Sequence, residues 1–232
     1  MSLAELDSVV ELALRSAIRD GSTKVTDAIF EEAFETFHSG EEKKWDIAQL
    51  ERVARHEGGH AFISWHSGCT PSYLTVVARG NHGGYMQHAE QEGKAIYTEA
   101  ELLDRIRTSL GGRAAEIVYY GRRDGISTGA AGDLASATNL AKQLVCAYGM
   151  DPEFGLAVVS PAAADGAMSE QVRGAVNRIL SAQMEEAVRI IEENRDKIDA
   201  LVAALLEKNH LTGAQIEAVL SREDAPARIT AQ

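Results

Sequence analysis

Residues 44–66, KWDIAQLERVARHEGGHAFISWH, carry the reading that decides the fold. Ile47, Leu50, Ala54, Gly58, Ala61 and Trp65 recur at three- and four-residue spacing, the apolar stripe of an amphipathic helix, and Val53, His56, Glu57, His60 and Ser64 fall beside it. One face is expected to pack, while the adjacent face presents two imidazoles one turn apart. Gly58 and Gly59 each cost about 1 kcal/mol relative to alanine in a helix interior, which predicts that another backbone approaches closely there.

Upstream, Leu6, Val9, Val10, Ala13, Leu14 and Ala17 mark a helix over 3–19, and Ile29, Phe30, Ala33, Phe34 and Phe37 mark a second that ends near Ser39-Gly40. Residues 41–44 read as a solvated connector or helix start. Downstream, the β-branched run Tyr73 to Val77 suits a strand, a second short strand is expected around Gly84 to His88, and Ala78 to Gly83 reads as the hairpin loop between them. Thr98 with Glu99 and Glu101 then opens a helix reaching about Tyr120. Further helices are expected over about 131–148, 169–193, 195–208 and 212–220, with an irregular stretch between Pro152 and Pro161. The stripe Val172, Val176, Ile179, Leu180, Met184, Val188 and Ile191 reads as core. The fold class is mainly α (α+β), a helical domain with one small β-hairpin or sheet behind a short N-terminal helical hairpin. Residues 223–232, with Pro226 and little pattern, are expected to be a disordered tail.

Composition sets the bounds. With 232 residues, 45% of them hydrophobic, the chain can bury a real core. Its net charge of −12, with no long basic run to offset it, argues against phosphate-backbone binding, and the neighbourhood of Arg113, Arg122 and Arg123 does not change that. Apolar runs such as Leu201 to Leu206 are far shorter than the ~20 residues of a spanning helix, and no signal peptide is legible, so the chain is expected to be soluble by itself. Cys69 and Cys146 are expected to be two reduced thiols.

His56-Glu57-Gly58-Gly59-His60 is an HExxH pattern. Histidines at i and i+4 can share one cation, and the intervening glutamate can serve as a base, the arrangement used for zinc-dependent peptide hydrolysis. Seven His and 23 Glu in this sequence give roughly 0.02 chance matches. A catalytic zinc takes three protein ligands and keeps a fourth position for water. Periodicity leaves the third ligand open among Glu116, Asp124, Asp133, His82 and His88. Asp133, in the first turn of its helix, could equally be stabilising a helix N-terminus.

His56 to His60, with Leu110-Gly111-Gly112-Arg113-Ala114-Ala115-Glu116, Ser127-Thr128-Gly129-Ala130 and Asp133, Ala137-Thr138-Asn139-Leu140-Ala141, Tyr148-Gly149-Met150 and Ile191-Glu192-Glu193-Asn194-Arg195, resembles the peptidase domain of the FtsH family of ATP-dependent zinc metalloproteases over roughly residues 45–220. The resemblance implies that His56 and His60 are metal ligands, that Asp133 is the third, and that Glu57 is the catalytic residue. Gly58 stands where the family usually has alanine, a departure on the packing side. Residues 1–41 are similar to the last helices of the family's AAA lid subdomain, which places the peptidase domain at 42–222.

The resemblance further implies Zn2+ as cofactor, a hexameric ring, unfolded or membrane-extracted proteins as substrates, and a cytoplasmic-side location, the intact protein being membrane-anchored through segments outside this sequence. No GxxxxGK[ST] phosphate loop occurs, since Gly93-Lys94 is followed by Ala95 with no glycine five residues earlier, so ATP would act only through a motor domain absent from this chain. Either the chain is the C-terminal piece of a longer protein or it is a homologue without a motor. A competing reading is a non-catalytic, zinc-stabilised assembly module. Glu57 argues against it, because a closed structural site has no use for a carboxylate beside an open metal position.

Overall fold

The computed structural model describes residues 2–222 apart from 20, 40–41, 44, 80–82, 89–94, 157 and 160–169. The chain forms two compact units, residues 1–46 with 77–84, and residues 47–76 with 85–232. In the first unit, α1 (Leu3–Arg19) and α2 (Asp27–Ser39) form the expected helical hairpin, packed through Val9, Ala13 and Ala33. Val10 and Leu14, read as part of the α1 stripe, are 40% and 49% exposed, so the buried seam is narrower than the apolar pattern. The stretch read as a connector or helix start carries a strand instead. β1 (Glu42–Lys43) pairs antiparallel with β3 (Ala78–Arg79), a stretch whose sequence reads as a hairpin loop. Two-residue strands carry no periodicity, and only their distant partner defines them. Trp45 Nε1 donates to Gly83 O at 3.2 Å in the same unit.

The second unit is built on α3 (Ile47–His66) and α4 (Glu99–Tyr120), whose contact is the broadest between helices. α4 starts where Thr98 and Glu101 cap each other's backbone N–H groups, a full capping box. Around this pair lie α5 (Arg122–Gly125), α6 (Ala131–Cys146), α7 (Glu170–Glu193), α8 (Arg195–Lys208) and α9 (Gly213–Leu220). One core joins Ala54, Phe62 and Ile63 of α3 to Ala114 and Ala115 of α4 and to Ile198, Leu201 and Leu205 of α8. A second joins Leu102, Ile106 and Leu110 of α4 to Ala137, Ala141 and Leu144 of α6 and to Val172 and Val176 of α7. The α7 stripe is core, as its spacing predicts. Ile47, placed on the packed face of α3, is 88% exposed at the helix's first residue, whereas Leu50 three residues on packs against the core.

The sheet has the order β4-β2-β5, all antiparallel, from β2 (Tyr73–Thr75), β4 (Tyr85–Gln87) and β5 (His210–Thr212). Leu74 pairs with Met86 on one side and with Leu211 on the other. β2 and β4 pair as expected, but β2 is shorter than the run 73–77, and β5 was not anticipated between two helices. The mainly α class with a small sheet is therefore observed. Both cysteines are free thiols. Among the described residues, no helix is long and apolar enough to cross a membrane. The tail at 223–232 and the turn at 80–82 lie outside the described residues.

Candidate metal centre

Two helices cross where the imidazoles emerge, and glycines let them do so. A Cβ on Gly59 would stand 2.5 Å from Gly111 O, and one on Gly111 would stand 2.7 Å from Gly59 O, so α3 and α4 touch backbone to backbone. The expected close approach thus occurs at Gly59. At Gly58 the nearest neighbour is instead a side chain, Val202 Cγ2, 3.0 Å from a built Cβ. Gly111-Gly112, one of the glycine clusters in the sequence, does not interrupt α4. A Cβ on Gly112 would lie 2.5 Å from His60 Nε2 and 2.6 Å from His56 Cδ2, so the missing side chain is the space that the two rings occupy.

His56 and His60 are 8% and 5% exposed, so their nitrogens need partners. His60 Nδ1 donates to Thr108 O at 2.7 Å, and His56 Nδ1 faces Glu116 Oε1 at 3.2 Å. Those contacts turn both Nε2 atoms toward a common point, where α6 supplies Asp133 Oδ2. The three atoms stand 3.2 Å (His56 Nε2 to His60 Nε2), 3.3 Å (His56 Nε2 to Asp133) and 3.5 Å (His60 Nε2 to Asp133) apart. Donors about 2.1 Å from a zinc ion at tetrahedral angles stand about 3.4 Å apart, so the group fits that cation in spacing and in donor type. Among the described residues, this is the group of His, Cys, Asp or Glu side chains that could hold a metal ion.

The charges fit as well. Burial opposes ionisation of Asp133, but hydrogen bonds from His56 and His60 hold its pKa well below the usual carboxylate range. Glu116, 1% exposed, is likewise opposed by burial and is held at about 2 by hydrogen bonds from His56 and Ser127. Burial alone would lower the pKa of His56. Hydrogen bonds to Asp133 and Glu116, with the charge of Glu57, outweigh it and raise it to about 9. Glu57 is half-buried on α3 beside these groups. The site gathers carboxylate charge around converging imidazole nitrogens, as a bound cation requires.

A histidine pair on one helix turn, an aspartate from a neighbouring helix and a glutamate beside them are the parts of a zinc metallopeptidase. Residues 44–219 match the model of peptidase family M41, and the chain belongs to that family of zinc metallopeptidases. It is 32% identical over 234 residues to ATP-dependent zinc metalloprotease FtsH 3 of Sphaerobacter thermophilus, covering 97% of this chain and 47% of that relative. It is 33% identical over 230 residues to FtsH 2 of Symbiobacterium thermophilum, covering 94% and 39%, and 32% identical over 252 residues to FtsH 4 of a Synechocystis species, covering 97% and 39%. The chain spans less than half the length of these relatives.

The other candidate ligands separate clearly. Glu116 lies behind His56, on its Nδ1 side. Asp124 is exposed in α5, where its carbonyl accepts from Arg52 Nη2 at 3.4 Å. His88 is exposed, with Nδ1 3.5 Å from Cys69 Sγ, and His82 lies outside the described residues. Ser127 hydrogen-bonds within its loop, accepting from Gly129 N, and also grips Glu116, which the sequence did not reveal. Gly112 and Thr108 were missed too. A space and a main-chain carbonyl leave no signature in residue type.

Proposed function

We propose that this chain is the proteolytic part of an FtsH-like ATP-dependent protease, an endopeptidase for unfolded or membrane-extracted proteins. The observation that carries the reading is the convergence of His56 Nε2, His60 Nε2 and Asp133 Oδ2 at 3.2–3.5 Å beside Glu57. In this reading His56, His60 and Asp133 are the metal ligands. When bound, zinc supplies Lewis acidity, polarising the scissile carbonyl and lowering the pKa of water at its open position toward ~7. Glu57 takes the proton of the attacking water and later delivers it to the leaving amine. His60, donating from Nδ1 to Thr108, and His56, held by Glu116, keep their Nε2 lone pairs directed at the centre. β4, an outer strand of the small sheet, offers an extended substrate a place for strand addition.

Residues 1–41 are read as the end of an AAA lid subdomain and 42–222 as the peptidase domain, working in a six-membered ring on the cytoplasmic side with an ATP-driven motor upstream. Support for this larger setting is the similarity to full-length relatives named as ATP-dependent. The test is hydrolysis of an unfolded protein by the zinc-loaded chain without ATP, with Glu57→Gln beside it. Cleavage by the parent and none by the variant, both retaining zinc, is expected. Zinc retained by both with no cleavage by either would favour the assembly module, and full activity of Glu57→Gln would remove Glu57 from the chemistry.

A further inference from the structure

The segment that delivers Asp133 has no regular structure between α5 and α6, yet side chains from both crossing helices hold it. Arg52 of α3 donates from Nη1 to Gly125 O at 2.6 Å, and Arg113 of α4 donates from Nη2 to Ser127 O at 2.6 Å. Between these clamps Ser127 is engaged in several directions. Its hydroxyl donates to Glu116 Oε1 at 2.5 Å and accepts from Gly129 N at 3.1 Å, and its own N–H donates to Glu116 Oε2 at 3.1 Å. Glu116 Oε1 is the same oxygen that faces His56 Nδ1. Arg113 Nε, 3.2 Å from Glu116 Oε2, sits behind the other oxygen.

One buried carboxylate therefore meets a ligand histidine on one side and the loop leading to the ligand aspartate on the other. We infer that Ser127 is a positioning residue that joins the two halves of the donor set: through Glu116 it fixes the imidazole of His56, and through its turn at Gly129 it fixes the approach of Asp133. The inference rests on the metal centre proposed above. Donor atoms borne by separate elements keep a spacing matched to zinc only if those elements cannot drift, and groups behind metal ligands are worth about 10–100-fold in metal affinity. Ser127 makes such a link with its hydroxyl, which reaches the oxygen facing His56, and with its N–H, which reaches the other. Arg113 keeps that hydroxyl in place by gripping the carbonyl of the same residue.

The experiment uses the full chain and reads two things besides hydrolysis: the zinc Kd, by competition with a chromophoric chelator, and the visible absorption of the cobalt-substituted protein, which reports coordination geometry. Ser127→Ala is expected to raise the zinc Kd by about 10–100-fold and to alter the cobalt band, while the stripped protein still unfolds in one cooperative transition. Ser127→Thr, which keeps a hydroxyl, is expected to restore both readouts. A zinc Kd and cobalt band for Ser127→Ala indistinguishable from the parent's would overturn the inference. If Ser127→Ala does not fold, Arg113→Gln carries the same test: it keeps the serine but removes the grip on its carbonyl that holds the hydroxyl against Glu116, so a raised zinc Kd is expected and one equal to the parent's would overturn the inference. A parent that binds no zinc refutes the metal centre itself, whereas a zinc-binding parent with indifferent variants refutes only the link through Ser127.

Discussion

The two sides of the candidate metal centre are supported by different materials. On the His60 side the support is main chain: Thr108 O takes Nδ1–H at 2.7 Å, the N–H of Gly112 lies 3.3 Å from the same nitrogen, and the absent side chain of Gly112 leaves the space that both rings share. On the His56 side it is a run of side chains, Glu116, Ser127 and Arg113, ending in the loop that delivers Asp133. The first kind of support is fixed by how closely α3 and α4 approach, so any change to it should act in large steps. The second is fixed by individual polar groups and should be adjustable one group at a time.

The sharpest way to break that contrast is Gly112→Ala. Its Cβ would stand 2.5 Å from His60 Nε2, and the groups that would have to give way are the two imidazoles themselves, so the variant is expected to retain no stoichiometric zinc and no hydrolysis, as metal analysis after desalting would record. Next in size is removal of the metal by a chelator. A cation bound only by the folded state stabilises it by about 2.7 kcal/mol at a free concentration 100-fold above Kd, and denaturant titration with and without chelator should show a loss of that order.

Gly59→Ala puts a Cβ 2.5 Å from Gly111 O and is expected to cost about 1–3 kcal/mol in unfolding free energy, because backbone must shift and the ~1 kcal/mol gain in helix propensity only partly offsets it. The smallest effect sharpens the contrast from outside. Asp151, 5% exposed, accepts from the backbone N–H groups of Glu153 and Phe154 and pairs with Arg178 at 2.9 Å, well along the chain from the ligands. Asp151→Ala is expected to cost about 1–2 kcal/mol in stability while leaving the zinc Kd at the parent's value. A weakened zinc Kd there would mean that the centre responds to general loosening of the unit, and the contrast between its two sides would fail.

The sequence made the long helices legible because each buries a stripe over several turns, and the α7 run from Val172 to Ile191 was read as core on that ground alone. It did not make β5 legible: His210-Leu211-Thr212 becomes a strand only because Leu211 meets Leu74 more than a hundred residues away. β1 and β3 were hidden for the same reason. In the site, His56, Glu57 and His60 declared themselves by spacing within one helix. Asp133 and Glu116 did not separate by residue type, since both are acids within reach of a histidine, and only the packing of α4 and α6 places one at Nε2 and the other at Nδ1. Similarity to a family implied Asp133 where residue type left the choice open. Gly112 could not be read in advance, because the volume it leaves and the contact of its N–H with His60 become meaningful only once α3 lies across it.

His56 and Asp133 are separated by 77 positions in the chain. On the proposed ligand assignment, a growing polypeptide that has exposed α3 holds two donors and no working site, and the set closes only after α4 has crossed α3 and α6 has docked behind it. Cutting ability then depends on three helices being docked together and on no one of them alone.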